Sequence, residues 1–137
     1  MSFDYDFEDI IALDDELLLG GVFVSEWCTA IVREADIAYV SGAYLGAILT
    51  AVAGIETHIR GELQSKKRLV ELINDYEIND HIKQQLHELR KYRNSWVHVD
   101  MTEEQDEFAD KIRDELKVKA YKSIRLLRQV LYSTPLV

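Results

Sequence analysis

Apolar residues recur three or four positions apart along nearly the whole chain, the spacing that marks one face of an α-helix. Over residues 25–40 the recurring set is Trp27, Ile31, Ala35 and Ala38, which places Trp27 in the core. Over about 43–64 it is Ile48, Val52, Ile55, Ile59 and Leu63, and residues 69–76 predict a short helix. A further helix begins near Asn79 or Asp80, a plausible capping pair, and carries Ile82, Leu86 and Leu89, then Trp96 and Val97. Thr102-Glu103-Glu104-Gln105 has the form of a capping box that starts a last long helix, with Phe108, Ile112, Leu116, Ala120, Ile124, Leu127 and Leu131 as its stripe. Ahead of these, residues 1–20 interleave seven acids with Phe3, Tyr5, Phe7, Ile10, Ile11, Leu13 and Leu17. That spacing predicts a short amphipathic helix stopped by Gly20-Gly21, docked on the other helices rather than acting as a regulatory lid.

Little interrupts this pattern. The one proline is Pro135, and long runs lack glycine, so the 137 residues read as a single all-α domain. Residues 37–55 carry no charge and approach the length of a membrane span. Tyr39, Ser41, Tyr44, Thr50 and three glycines lie within the segment, and acids flank it, so a buried helix after a break at Ser41-Gly42 is expected instead, with no membrane partner. Gly42, Gly46, Thr50, Gly54 and His58 fall four apart beside the core stripe, a row that lets another backbone come close. The helix of residues 79–98 or a second subunit is the expected partner. Cys28 is the sole cysteine, which rules out an internal disulfide and a cysteine-rich metal site. With no signal-peptide character at the N-terminus, a reducing, cytoplasmic setting is expected.

Charge alters the picture only when divided along the chain. Residues 1–59 hold eleven acids and one base, whereas residues 60–137 hold fourteen acids and fifteen bases; together these give the net charge of −9. No lysine-rich stripe of the kind that dominates duplex binding is present, so any nucleic-acid contact should be short and local. Ser65-Lys66-Lys67-Arg68 reads as a solvated basic turn. Lys117, Lys119, Lys122, Arg125 and Arg128 read as a second basic surface that suits the C-terminal end of the last helix.

Candidate chemistry gathers in Arg93-Asn94-Ser95-Trp96-Val97-His98. Arg93 occupies the position in the stripe, between Leu89 and Trp96, where an apolar residue is expected, and Asn94 and His98 lie one turn apart. Acid–base chemistry at a phosphate without a metal needs groups that take and give a proton, with positive charge on the phosphate. His98 has the right ordinary pKa for either proton step, and Arg93 offers paired donors to phosphate oxygens. Other chemistries lack their residues. No histidine has a glutamate three positions before it, as a di-iron bundle needs, and no glycine-rich loop ends in Lys-Ser or Lys-Thr. No cofactor is expected.

This motif, Arg then Asn then His five positions after the Arg, resembles the signature of the HEPN superfamily over about residues 22–131. The resemblance implies an antiparallel four-helix bundle over residues 22–137, with residues 1–21 as an additional acidic N-terminal helix or arm. It also implies a metal-independent endoribonuclease that cuts single-stranded RNA by internal 2′-OH attack, in a toxin-antitoxin or phage-defence setting. Arg93, Asn94 and His98 would be its catalytic residues, and a homodimer would supply two copies of the motif to one site. Glu56 is the candidate for the acidic residue that such proteins often carry on the second helix, the other reading being that Glu56 and His58 are surface residues. Arg90 and Lys91 are the candidate RNA contacts. An antitoxin or other partner protein is a further expected partner. The second class of function is a catalytically inert HEPN module that dimerises and binds a partner protein. One departure concerns regulation: toxins of this superfamily controlled by adenylylation carry Tyr two residues after the His, where this chain has Asp100.

Overall fold

The computed structural model describes residues 3–17, 25–97 and 108–133, the side chains of 3–6 and 108–111 excepted. They form α1 (Phe3–Leu17), α2 (Glu26–Val40), α3 (Tyr44–Leu63), α4 (Leu69–Asp75), α5 (Asp80–Val97) and α6 (Phe108–Leu131). Every regular element among the described residues is an α-helix, and none of these helices is long and apolar enough to cross a membrane. The Gly20-Gly21 stop and the Thr102-Glu103-Glu104-Gln105 box lie outside the described residues.

Short-range signals set the helix starts. Ser25 Oγ accepts the Cys28 N–H at 3.1 Å and caps α2, while Asn79 Oδ1 accepts the N–H groups of His81 and Ile82 at 2.8 and 3.3 Å and caps α5. The uncharged stretch of residues 37–55 is broken by a turn at Ser41 and Gly42, where Gly42 has φ +82°, a conformation that favours glycine.

α3 lies at the centre, packed against α2 and α6 and also against α4 and α5, while α1 rests on α2 and α6. The α3 stripe of Ile48, Val52, Ile55 and Ile59 is buried as its spacing predicts. Ile10 and Leu13 of α1 belong to the same core cluster. Polar ties reinforce that docking: the Tyr39 hydroxyl donates to Asp9 at 2.9 Å, and Arg125 donates to both Glu16 oxygens at 2.7 and 2.6 Å.

Three expectations are corrected. Trp27 is 42% exposed, because α2 buries Cys28, Val32, Ala35 and Tyr39 instead, a face turned one residue from the predicted one. The Tyr39–Asp9 bond and the packing of α1 against α2 favour that turn, leaving Ile31 half-buried. The glycine row does not serve α5: a Cβ on Gly54 would come within 2.9 Å of Leu127 Cδ1 and 3.0 Å of Ile31 Cγ1, so its close neighbours are α6 and α2. Finally, Arg128 is no part of a basic surface. Its side chain has 0% exposure and is enclosed by Asp14, Asp36 and the last turns of α6.

Candidate active site

The motif begins on the last turns of α5. Leu86 and Leu89 are buried, and Arg93, four residues after Leu89, continues their stripe to a half-buried position. Its Nε donates to Asn94 Oδ1 at 3.0 Å. This bond fixes one edge of the guanidinium and leaves its two terminal nitrogens without a hydrogen bond among the described residues, so they can meet an anion in a paired fashion. His98 lies outside the described residues.

The other expected members are placed differently. Glu56 accepts from Arg60 at 3.1 Å, one turn along α3, and Arg60 also donates to the Lys67 carbonyl. Its neighbour Ile55 borders a small cavity together with Leu86, Leu89 and Arg90, about a turn before Arg93 on α5. Glu56 is therefore engaged by Arg60 on its own helix. Arg90 is half-buried at that cavity, and its Nε is enclosed without a hydrogen bond among the described residues. Lys91 is exposed.

The structure adds a residue that the sequence reading passed over. His87 lies on the same face of α5 as Lys91 and Asn94, at the spacing of one and two turns. Its Nε2 is hydrogen-bonded to Asn74 Oδ1 at 2.8 Å. Burial pushes its pKa below the ordinary histidine range, and the charges of Arg90, Lys91 and Lys83 push it further the same way. Arg90, Lys91 and Lys83 thus place positive charge around His87 on this part of α5. The i, i+4, i+7 spacing was the available signal for it.

On the neighbouring face, the Lys119 ammonium stands 5.2 Å from the Tyr92 ring centroid. Burial raises the Tyr92 phenol above its ordinary range, with the Trp96 indole N–H offsetting part of that rise. Elsewhere His58 packs edge-on to Tyr76, and its burial lowers its pKa while Glu62 opposes the shift. Among the described residues no three His, Cys, Asp or Glu side chains converge in a way that would hold a metal ion. No family model, curated protein or solved structure matches this chain.

Proposed function

We propose that the chain is a HEPN-type endoribonuclease that cleaves single-stranded RNA without a metal, built on an antiparallel four-helix bundle over residues 22–137. The observation that supports this most directly is the Arg93–Asn94 pair: a guanidinium held by one edge at the end of α5, with its terminal nitrogens available to a phosphate. The positive charge around His87 favours bringing an anion to the same helix. In the proposed reaction the 2′-oxygen attacks phosphorus, the bond to the 5′-oxygen breaks, and a 2′,3′-cyclic phosphate remains. His98 takes one proton or delivers the other, and Arg93 neutralises the charge that builds on the phosphoryl oxygens.

Two proton-transfer groups serve this step better than one, and a homodimer that joins two Arg93–His98 segments supplies the second. Val97, 50% exposed beside the motif, is apolar surface that such a dimer would cover. A toxin-antitoxin or phage-defence role in the cytoplasm fits a nuclease of this kind. The second reading, an inert interaction module, is favoured by Glu56 being engaged by Arg60 and by the inward Arg90.

The deciding test is cleavage in excess EDTA. Single-stranded RNA should be cut to 2′,3′-cyclic or 3′-phosphate ends, and Arg93→Ala and His98→Ala should each abolish cutting while the helical circular dichroism persists. Cutting that survives both substitutions, or that stops in chelator and returns with metal, overturns the proposal.

A further inference from the structure

Around α5 from Arg90, on the side that faces α6, a groove of about 90 Å³ opens between the two helices. Leu89 and Leu126 give it an apolar floor, and Tyr92 forms a wall beneath the Lys119 ammonium. Lys122 is exposed at its rim. The Gln129 Oε1 is buried there and accepts no hydrogen bond among the described residues. Arg125 also borders the groove, but both ends of its guanidinium are bound to Glu16.

We infer that this groove is a subsite for one nucleotide of single-stranded RNA, with the base against Leu89, Leu126 and Gln129 and a phosphate held by Lys119 and Lys122. The inference rests on the ribonuclease reading and extends it, because Tyr92 directly precedes Arg93 and a nucleotide here is a neighbour of the scissile one. A water needs roughly 10–15 Å³, so the space holds several waters or one planar group that displaces them. A buried polar atom without a partner calls for one, and a carboxamide can turn over to offer an acceptor or a donor, which suits the mixed edges of a nucleobase. Among the described residues that line the groove, the ammonium groups of Lys119, over the Tyr92 ring, and of the exposed Lys122 stand against a single carboxylate, Glu88, once Arg125 is bound to Glu16, so the balance favours an anion. An acidic peptide satisfies the lysines but leaves the leucine floor and the amide unused. A nucleotide engages all of them.

The test is equilibrium binding of a short fluorescent single-stranded RNA to the full chain bearing His98→Ala, measured across a range of salt. Each phosphate contact contributes about 0.7 to the slope of log K against log salt for a single strand. Lys119→Gln with Lys122→Gln, which removes the contact to that one phosphate, should flatten the slope by about 0.7, and Lys122→Gln alone by part of that. Gln129→Leu should weaken binding several-fold at every salt concentration with the slope unchanged, a separation that loss of surface charge does not produce. Because Lys119 also packs on Tyr92, the exposed Lys122 keeps the test valid if the double variant unfolds. If the native chain cuts RNA while Lys122→Gln and Gln129→Leu bind like their parent, the subsite is overturned and the ribonuclease reading stands. If the chain neither binds nor cuts RNA, both fall. If a polyglutamate peptide of equal charge displaces the RNA at equal concentration, the groove belongs to acidic proteins and the nucleotide assignment is overturned.

Discussion

Asp36→Ala should be among the most destabilising single substitutions in this protein. Arg128 Nη1 and Nη2 donate to the two Asp36 oxygens at 2.9 and 2.6 Å, and Nε donates to Asp14 at 2.9 Å. The guanidinium has 0% exposure, the Asp36 side chain 18% and the Asp14 side chain 41%. Removing Asp36 leaves the cation away from water with one carboxylate and a 3.4 Å contact to the Ile124 carbonyl. Loss of one partner from a buried pair costs roughly 3–5 kcal/mol. Against a total of about 5–15 kcal/mol for a domain, that is a large fraction. The pair itself is a different matter. Burial raises the Asp36 pKa in spite of the opposing pull of Arg128, so desolvation consumes much of the attraction. Asp36→Leu combined with Arg128→Met should therefore cost far less than Asp36→Ala alone. Urea unfolding of the variants, followed by circular dichroism, reads both quantities and closes a double-substitution comparison. An Asp36→Ala cost under about 1 kcal/mol, the size found for exposed ion pairs, would refute the argument.

Acid should weaken the fold below neutrality through His58 and His87. Both have folded pKa values below the ordinary 6.5, so the unfolded chain binds more protons in the interval between, and stability falls as pH drops through it. The urea midpoint should decline as pH falls below about 7, and His58→Gln with His87→Gln should flatten that decline; an equal slope in the variant counts against this origin. Gly46→Ala should stabilise by about 0.5–1 kcal/mol, since helix propensity improves and its Cβ meets nothing closer than 3.7 Å. Gly54→Ala should lose that gain to the 2.9 and 3.0 Å clashes with Leu127 and Ile31, and thermal melts that rank the two the other way would contradict the packing described. Removing one α1 acid by Glu16→Ala should release Arg125 beside the groove and raise RNA affinity at low salt, with no change expected at high salt. Deleting α1 is the poorer test, because Leu13 is part of the core.

The helices were legible because their signals are local. Ser25 and Asn79 cap where side-chain chemistry predicts, and the α3 stripe is buried because one helix face that is apolar over four turns has few ways to pack. The facing of α2 was less legible. Trp27 and Cys28 are both apolar and differ by one position, about 100° on a helix, and the choice between them depends on where α1 docks. Trp27 is the larger side chain and the one left at the surface, since Tyr39 reaches Asp9 only from the Cys28 face. The glycine row misled for a related reason: small residues announce a close approach without saying which helix makes it.

Arg93 and Arg128 show where the same limit falls on the candidate site. Each is a cation set into the apolar stripe of a long helix, and spacing alone does not distinguish them. The bond of Arg93 is to the adjacent Asn94, so the pair is present in the sequence as a dipeptide and follows from any helix drawn through it. Arg128 takes its partners from Asp36, 92 positions away, and Asp14, 114 positions away, both in the acidic half of the chain. Two of the acids there are committed to burying a base. The same holds for Arg125 and Glu16, which leaves Lys119 and Lys122 as the cations of α6 that still face the groove. Net charge and charge runs thus say how much of each sign the chain carries, while the free positive surface is what remains after the long-range pairs have formed. On α5, Lys91 is exposed two residues before Arg93 and belongs to that remainder.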